Sequence, residues 1–475
     1  EGGEPVGEIT EVLGQSGDLS CEENAIIRSK NLAEEFPHKA LAEAKRVSAE
    51  KVEVGGRRDF RDRLIITIDG DDSRDFDDAV EVWREGKYYR LGVHIADVTH
   101  YVSRGRALDT EAYKRGTSVY FPDRVLPMLP EELSNGICSL NEGEDRCTLS
   151  CLMKIDEKGK VKDSEIVTGV IRSSARMTYK NVAAILDGDR ELSEKYEFLL
   201  PMLEEMRQLA EILMKKRKSR GSIDLDVKEA AVTVQDGAVS VKEYERTVAH
   251  KIIEEFMILA NETVAEFHAD NVRPGEYGKI LDKLEGGPLF HVVNRVMLRS
   301  MSKARYSAEN SGHFGLASAC YCHFTSPIRR YPDLLVHRLV KMVLDGRAAE
   351  AADTFSRFVY GAALSCSESE RRADEAERDV DELYKTWYMR EHLGETFSAV
   401  VSGVTSFGVF AELSNTVEGL IRIENLPADD YVFVERRFLL KGLSHSFKIG
   451  DPIQIKVAAA DIGTRKCEFV LADEN

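Results

Sequence analysis

The sequence lacks the long apolar runs and the paired cysteines that mark several classes of protein. No stretch of about 18 apolar residues occurs in its 475 residues, so we expect no membrane span. The first residues, Glu1 to Pro5, carry no signal-peptide pattern. The eight cysteines are scattered and form no C-x-x-C pair, which argues against a disulfide framework. We therefore predict a cytoplasmic protein with reduced thiols.

Positive charge is also in short supply. The chain has 65 Lys and Arg against 83 Asp and Glu, a net charge of −18. Because neutralisation of phosphates drives nucleic-acid binding, this balance argues against a protein that coats nucleic acid with its whole surface. It remains compatible with an enzyme that confines its basic residues to a channel.

The negative charge is concentrated in one short stretch. Six of the ten residues from Asp69 to Asp78 are aspartates, and the apolar residues 64–68 lead into them. Carboxylates this close repel one another unless a cation lies among them, and short acidic side chains are the oxygen ligands that Mg²⁺ prefers. Two such ions can bind the attacking and leaving oxygens of a phosphodiester displacement. The stretch therefore indicates a magnesium site.

Two other interpretations of this stretch are weaker. A solvated acidic loop is common for charged runs, but the preceding apolar strand argues against it. A calcium-binding EF-hand loop fails on spacing, because Ser73 is followed by Arg74 where that loop needs a glycine. A zinc site from Cys320, Cys322 and His323 is a separate possibility, disfavoured because no second ligand pair lies nearby.

A proline-rich segment follows the aspartates. Residues 116–122 read Gly-Thr-Ser-Val-Tyr-Phe-Pro, and further prolines at 127 and 130 predict an extended loop. An aromatic side chain on such a loop can stack on a base, although half-buried packing is the commoner use. From the pattern alone, packing is favoured for both Tyr120 and Phe121.

A second motif carries adjacent arginines. Residues 321–333 read Tyr-Cys-His-Phe-Thr-Ser-Pro-Ile-Arg-Arg-Tyr-Pro-Asp. Arginine suits a place beside phosphate because its fork donates to two oxygens and stays charged. A surface salt bridge is the alternative for Arg329.

These motifs together resemble the ribonuclease II / ribonuclease R (RNB) family of processive 3′→5′ exoribonucleases, in a form closer to ribonuclease R. The matches extend over residues 55–475. The resemblance implies an Mg²⁺-dependent enzyme that acts on the single-stranded 3′ end of RNA and releases nucleoside 5′-monophosphates. It implies a two-metal site formed by Asp69, Asp75, Asp77 and Asp78.

The resemblance also assigns individual roles. Asp77, Arg329, Arg330 and Glu377 are the implied catalytic residues, with Arg329 beside the scissile phosphate and Arg330 ranked after it. Tyr120 is implied to stack on the 3′-terminal nucleotide, whereas Phe121 keeps its packing role. For Glu377 an i,i+4 surface ion pair remains an equal explanation.

We expect an α+β fold with three parts. Residues 1–54 form a remnant of the cold-shock region and its linker helix, and residues 55–393 form a large mixed α/β catalytic RNB domain. Residues 394–475 alternate as five strands, which predicts an OB-fold barrel of the RNA-binding ribosomal-protein type. Phe407, Phe410 and Arg422 would form its RNA-binding face. With 12 acids against 8 bases in this part, stacking rather than bulk charge would carry the binding.

The local patterns predict particular elements. We expect hairpins of residues 79–83 with 88–95 and of 147–155 with 160–171, and helices over 107–116, 179–186, 245–268, 334–344 and 348–393. We also expect a strand over 6–14, a helix over 32–47 interrupted by Pro37, and a helical stretch over 191–218 that is broken or bent at Pro201. The fourth barrel strand is expected to include residues 447–450. The basic residues 215–220 could contact phosphates or form a solvated helix end.

One departure from the family pattern affects RNA handling. The segment with a second base-stacking Phe is missing near Asp270 to Pro274, which leaves processivity and behaviour on structured RNA open between the ribonuclease R and ribonuclease II types. The alternative from another class is an inactive RNA-binding protein on the same fold. All four aspartates and Arg329 are present, which favours the enzyme. We expect a monomer.

Overall fold

A computed structural model describes residues 9, 11–222, 229–235, 237–266 and 303–472. Two helices precede the large domain, α1 (Leu19–Ser29) and α2 (His38–Ser48). The predicted strand over 6–14 is wrong in its described part, because residues 11–14 have no regular structure. The predicted helix over 32–47 is also wrong at its start: Pro37 is extended (ψ 143°) and directly precedes α2, as expected for a residue without an N–H.

The large domain is built on one seven-stranded mixed sheet. Its order is β1-β8-β7-β4-β3-β2-β9. The strands of the domain are β1 (Arg58–Asp59), β2 (Ile66–Asp69), β3 (Asp78–Glu85), β4 (Tyr88–Ala96), β5 (Val119–Tyr120), β6 (Val125–Leu126), β7 (Asp145–Ile155), β8 (Val161–Arg172), β9 (Ala175–Thr178), β10 (Ala230–Gln235) and β11 (Ala238–Glu243). Both predicted hairpins are confirmed, as the pairs β3–β4 and β7–β8.

The register of this sheet brings acidic residues to one edge. β2 ends at Asp69 and pairs parallel with β9, where Asp69 lies opposite Thr178. β3 begins at Asp78 and runs antiparallel to β2. The loop of residues 70–77 between them therefore lies at the edge where β2 and β9 end.

Helices cover both faces of the sheet. The helices of this domain are α3 (Ala107–Arg115), α4 (Tyr179–Leu186), α5 (Arg190–Lys195), α6 (Leu200–Arg220), α7 (Val248–Glu266), α8 (Tyr331–Leu344) and α9 (Ala348–Glu391). The predicted break near Pro201 is found just before it, since α5 ends at Lys195 and α6 begins at Leu200. Pro201 itself lies in the first turn of α6, where its missing N–H costs nothing. Thr178 caps the predicted helix α4 by accepting a hydrogen bond from the Asn181 N–H (3.1 Å). None of the described helices is long and apolar enough to cross a membrane.

The basic end of α6 is partly packed against α7, while Lys215 and Lys218 are exposed. The Arg217 guanidinium lies 2.8 Å from the Glu255 carboxylate of α7, and that of Arg220 lies 2.5 Å from Glu262. These residues therefore join α6 to α7 through ion pairs, a use that neither sequence interpretation included.

The C-terminal part is a closed five-stranded barrel of order β12-β13-β14-β19-β18, as predicted. The strands after α9 are β12 (Thr396–Thr405), β13 (Gly408–Leu413), β14 (Glu418–Arg422), β15 (Val432–Val434), β16 (Leu439–Lys441), β17 (Ser446–Lys448), β18 (Pro452–Asp461) and β19 (Lys466–Leu471). The expectation that residues 447–450 belong to the fourth barrel strand is wrong. β17 pairs with β16 in a separate three-stranded sheet, because the turn at Gly450 (φ 94°) separates it from β18.

Candidate active site

A pocket of about 450 Å³ opens at the sheet edge where β2 ends. We call it the aspartate pocket. It is lined by residues from the 69–78 loop, the β5 strand, α4, α7 and the segment before α8; among the predicted site residues it contains Asp69, Asp75, Asp77, Asp78, Tyr120, Arg329 and Arg330. The structure thus brings together side chains that are up to 261 positions apart in the sequence.

Three aspartates of the pocket, Asp69, Asp77 and Asp78, lie in surroundings that change their proton affinity. Burial raises the pKa of Asp69, to which the charges of Asp78 and Asp75 add. Burial also raises the pKa of Asp77 well above its usual range, although the Arg329 charge opposes it, and it raises the pKa of Asp78 to about 6. Each carboxylate is therefore costly in its charged form unless a cation lies nearby.

Two carboxylate oxygens in the pocket lack a hydrogen-bond donor. Asp77 Oδ1 accepts a hydrogen bond from the Ile328 N–H (2.8 Å). Asp77 Oδ2 and Asp69 Oδ2 are buried and have no such partner among the described residues. Buried polar atoms normally have a partner, so this pair of oxygens fits a cation ligand.

The fit to a metal rests on these donors and not on a preformed cluster. Within the described ranges, no three His, Cys, Asp or Glu side chains are grouped closely enough to form a metal centre. The aspartates instead come from the end of β2, the start of β3 and the loop between these strands. Carboxylate oxygens are hard ligands, and two of these oxygens have no hydrogen-bond donor among the described residues. Both properties suit a divalent cation.

Tyr120 joins the pocket to α9. Its hydroxyl donates to Asp75 Oδ2 (2.9 Å), and its backbone N–H donates to Glu377 Oε1 (2.8 Å). Tyr120 is 38% exposed, whereas Phe121 is 7% exposed. This difference agrees with a binding role for Tyr120 and a packing role for Phe121. Burial raises the pKa of Glu377 to about 7.

The adjacent arginines have different surroundings. Arg329 Nη2 donates to Ser326 Oγ (3.0 Å), Arg329 Nε lies 3.7 Å from Asp77 Oδ2, and the side chain is 42% exposed. Arg330 Nη2 donates to the fully buried Asp333 (2.8 Å). Arg329 therefore keeps a partly exposed side chain at the pocket, while Arg330, which also lines the pocket, is paired with Asp333. A catalytic role for Arg330 stays a prediction.

The pocket contains residues that the sequence analysis missed. Tyr179 lines it and stacks on His250 at 3.9 Å between ring centres, and Glu254 and Asn261 approach from α7. Burial and the nearby Asp78 and Asp69 raise the pKa of the Tyr179 hydroxyl. The Thr178 cap located Tyr179 at the start of α4, but only the parallel β2–β9 pairing places it beside Asp69.

The predicted RNA-binding residues of the barrel lie together on its surface. Phe407 is 54% exposed and meets Phe410 edge to face at 6.2 Å. Arg422 donates to Glu468 (2.5 Å), so its charge is partly neutralised. The arrangement leaves Phe407 as the exposed ring of this face.

The disfavoured zinc ligands make separate contacts. The His323 Nδ1 lies 2.8 Å from the Tyr306 hydroxyl, and Cys320 Sγ accepts from Asn310 Nδ2 (3.2 Å). Cys322 Sγ donates to the Asn261 carbonyl (3.6 Å). Burial raises the pKa of Cys322 to about 12, which opposes the thiolate that zinc needs.

Comparison with protein families gives two matches. An RNB domain matches residues 57–280 and 268–346, and an S1 RNA binding domain matches residues 391–466. Among curated proteins, the chain is 42% identical over 508 residues to Ribonuclease R 1 of Lactococcus lactis, covering 98% of this chain and 62% of that protein. It is 41% identical over 524 residues to Ribonuclease R of Thermotoga maritima, covering 100% of this chain and 74% of that protein.

Comparison with solved structures also finds ribonuclease R. Mycoplasma genitalium RNase R in complex with ribose methylated single-stranded RNA has a TM-score of 0.86 at 27% identity, covering 98% of this chain and 79% of that chain. The same protein in complex with double-stranded RNA has a TM-score of 0.82 at 26% identity, with 98% and 85% covered. A yeast pseudonuclease (TM-score 0.68, 20% identity, 90% and 58% covered) shares the fold.

The alignments also bear on the missing segment. The Thermotoga alignment extends over 524 positions although this chain has 475 residues, so the relative carries residues that this chain lacks. The RNB match is divided into two pieces that overlap at residues 268–280. The expected departure near Asp270 to Pro274 lies in this overlap, outside the described residues, and stays a prediction.

Proposed function

The chain belongs to the ribonuclease R family of RNB-domain proteins, and on that premise we propose that it is a processive 3′→5′ exoribonuclease that hydrolyses RNA to nucleoside 5′-monophosphates. The chain spans 62% of its Lactococcus relative, so the activity of the whole protein is part of the proposal. The observation that carries it is the aspartate pocket, where donor-free carboxylate oxygens lie beside the exposed Arg329 and Tyr120.

In this proposal Asp69, Asp75, Asp77 and Asp78 hold two Mg²⁺ ions. When bound, the ions supply a nucleophile from water and neutralise charge on the leaving 3′-oxygen. Metal binding also offsets the cost of keeping Asp69, Asp77 and Asp78 deprotonated.

The other residues of the pocket bind and orient the RNA. Arg329, exposed and close to Asp77, stabilises charge that develops on the scissile phosphate. The Tyr120 ring stacks on the last base, while Asp75 and Glu377 fix its hydroxyl and backbone. The S1 barrel offers Phe407 to RNA further from the 3′ end. A monomeric, cytoplasmic enzyme remains our prediction from the sequence.

The test uses a 5′-labelled single-stranded RNA, incubated with Mg²⁺ or with EDTA. Asp77→Asn is the control variant, because the new amide oxygen can still accept the Ile328 N–H while one metal ligand is lost. We expect the wild type with Mg²⁺ to yield a very short end product directly, and Asp77→Asn to bind RNA nearly as well without hydrolysing it.

Two outcomes would change the proposal. A ladder of intermediates would retain the chemistry but remove processivity, in keeping with the shortened segment. Intact RNA that is still bound by the wild type would identify an inactive RNA-binding protein on this fold. For Asp77→Asn, lost RNA binding with retained turnover would contradict the assignment of Asp77 as a metal ligand.

A further inference from the structure

The Tyr120 hairpin (residues 119–126, strands β5 and β6) packs against α1 near the start of the chain. Ile26 and Ile27 of α1 share one buried apolar cluster with Val119, Phe121 and Leu126 of the hairpin. The same cluster includes Ala373, Ala376 and Val380 of α9. The hairpin, α1 and α9 therefore share one apolar cluster, with both α1 and β5 packed on α9, and α1 belongs to the same folded unit as the aspartate pocket.

A buried polar contact lies within this apolar interface. Glu23 of α1 is 1% exposed, and its Oε2 accepts a hydrogen bond from the Tyr384 hydroxyl of α9 (2.9 Å). Its Oε1 lies 3.2 Å from Arg124 Nε. A buried charge is costly unless it is paired, so this carboxylate has a specific reason to be in the interface.

Arg124 connects the contact to the hairpin turn. The Arg124 carbonyl accepts a hydrogen bond from the Phe121 N–H (2.8 Å), which closes the turn that follows Tyr120. The Arg124 side chain also meets Asp123 (3.1 Å) and, from the segment after α1, Glu34 (3.9 Å). The guanidinium thus meets two carboxylates from α1 and the segment after it, Glu23 and Glu34, and one from its own turn, Asp123.

The opposite side of the hairpin is attached to α9. Glu377 accepts the Tyr120 N–H, and Tyr384 follows Glu377 on α9 by seven residues, about two helical turns. Tyr120 is therefore fixed by Glu377 on one side, while the turn beyond it is fixed by Glu23 through Arg124 on the other.

We propose that Glu23 is a positioning residue for RNA binding: by holding Arg124 and Tyr384, it keeps the Tyr120 hairpin where the Tyr120 ring can stack on the 3′-terminal base. The inference rests on the proposed function, because it assumes the stacking role of Tyr120. It assigns a role in substrate binding to α1, which lies outside the RNB and S1 matches.

The electrostatics of the contact make a mild substitution practical. Burial, followed by the charge of Asp123, raises the pKa of Glu23 to about 7. Because the environment does not favour the charged form, Glu23→Gln should fold normally and still accept the Tyr384 hydroxyl. What it loses is the charge that attracts Arg124. Glu22→Gln is the matched control, since Glu22 contacts Ser16 and Gly17 instead of the hairpin.

The first experiment reads stacking directly. In the Asp77→Asn background, an RNA ending in a fluorescent adenine analogue is bound in Mg²⁺, and quenching of the analogue reports stacking on Tyr120. We expect Tyr120→Ala to lower the quenching most. Glu23→Gln and Arg124→Gln should lower it by a smaller amount, and Glu22→Gln should leave it unchanged.

The second experiment separates binding from turnover on a short RNA with otherwise wild-type protein. We expect Glu23→Gln to raise KM about 3- to 10-fold, a fraction of what a whole stacking contact contributes, with kcat within about twofold. Combined with Arg124→Gln, it should add little, because both changes break one contact. If Glu23→Gln does not fold, Arg124→Gln replaces it, because the Arg124 side chain is partly exposed and its substitution should be tolerated.

The outcomes distinguish this inference from the proposed function. If Tyr120→Ala removes the quenching but Glu23→Gln and Arg124→Gln behave like Glu22→Gln in both experiments, the positioning role is overturned and the proposed function stands. If quenching is the same with and without the Tyr120 ring, the stacking assignment fails and the inference fails with it. A wild type that binds and stacks RNA but does not cleave it would overturn the activity alone.

Discussion

At the scale of single residues, substitutions can separate the role of the Tyr120 ring from that of its hydroxyl. Its ring is exposed for stacking, while its hydroxyl donates to Asp75. We expect Tyr120→Ala to raise KM for a short RNA about 5- to 100-fold, the equivalent of ~1–3 kcal/mol of stacking. Tyr120→Phe keeps the ring, so its KM should stay near the wild-type value, and the lost hydrogen bond should lower kcat several-fold. Steady-state kinetics on a five-nucleotide RNA would show this; equal KM values for the two variants would argue against stacking.

The raised pKa of Glu377 leads to a prediction of how stability depends on pH. Burial raises its pKa to about 7 from an ordinary value of 4.5, so its contribution to stability is complete below pH 4.5 and is lost as the pH rises through about 7. Glu377→Gln cannot ionise. We therefore expect its Tm to increase relative to the wild-type Tm between about pH 5 and pH 8.

The control for this prediction lies on the same helix. The hydrogen bond and charge of Lys30 lower the pKa of Glu375, so its contribution has the opposite sign: it is present above pH 4.5 and lost as the pH falls. Glu375→Gln should therefore not gain stability relative to the wild type on going to high pH. Thermal unfolding at both pH values checks the pair, and parallel curves for wild type and Glu377→Gln would refute the prediction.

Sequence reasoning identified residue types in the site better than their surroundings. The aspartates follow each other in the chain, so one motif located them. Arg329 and Arg330 are neighbours too and both line the pocket. That Arg330 is paired with the buried Asp333, whereas the Arg329 side chain is 42% exposed, is visible only in the structure. Tyr179 joins the pocket through a strand pairing between residues more than one hundred positions apart, and a single sequence contains no record of that pairing.

At the scale of elements, Gly116 controls the path from α3 to Tyr120. Its φ is 74°, and a Cβ at this position would lie 2.5 Å from Ser369 Cβ on α9. Gly116→Ala therefore combines backbone strain with a clash. We expect a loss of ~2–4 kcal/mol in the free energy of unfolding and a higher KM for short RNA, because Tyr120 is displaced.

Gly105 provides a matched control for that substitution. Its φ is 76°, but the position of its Cβ is open to solvent. Gly105→Ala should therefore show the strain alone, about 1 kcal/mol, with an unchanged KM. Denaturant unfolding and kinetics of both variants give the comparison; equal losses at the two glycines would mean that the contact with Ser369 is unimportant.

Local patterns predicted those elements that are stabilised locally. The β3–β4 and β7–β8 hairpins alternate strongly and pair with their sequence neighbours, and both were found. Helix α1 was missed because just three large apolar residues, Leu19, Ile26 and Ile27, interrupt its polar sequence. Its stability comes from packing against α9, more than three hundred residues away, and such a partner has no local signal.

At the scale of the whole molecule, the acidic balance limits how RNA can be held. With a net charge of −18, affinity cannot come from general attraction to phosphates. The structure instead has two separate exposed aromatic side chains to which we assign base stacking in the proposed function: Tyr120 at the pocket and Phe407 on the barrel. A short RNA can occupy the pocket alone, whereas a long RNA can use both.

This division leads to a length-dependent prediction for Phe407→Ala. The loss of one exposed ring should raise KM for an RNA of about 25 nucleotides some 5- to 100-fold, as for other base-stacking contacts, and leave KM for a four-nucleotide RNA unchanged. Phe198→Ala is the matched control, because that ring is 53% exposed against 54% for Phe407 and lies on the large domain away from the aspartate pocket. It should alter neither substrate. Because Arg422 is paired with Glu468, we expect RNA binding by the barrel to depend on its aromatic ring more than on charge. An effect of Phe407→Ala on the four-nucleotide RNA would show instead that the barrel contributes to the pocket.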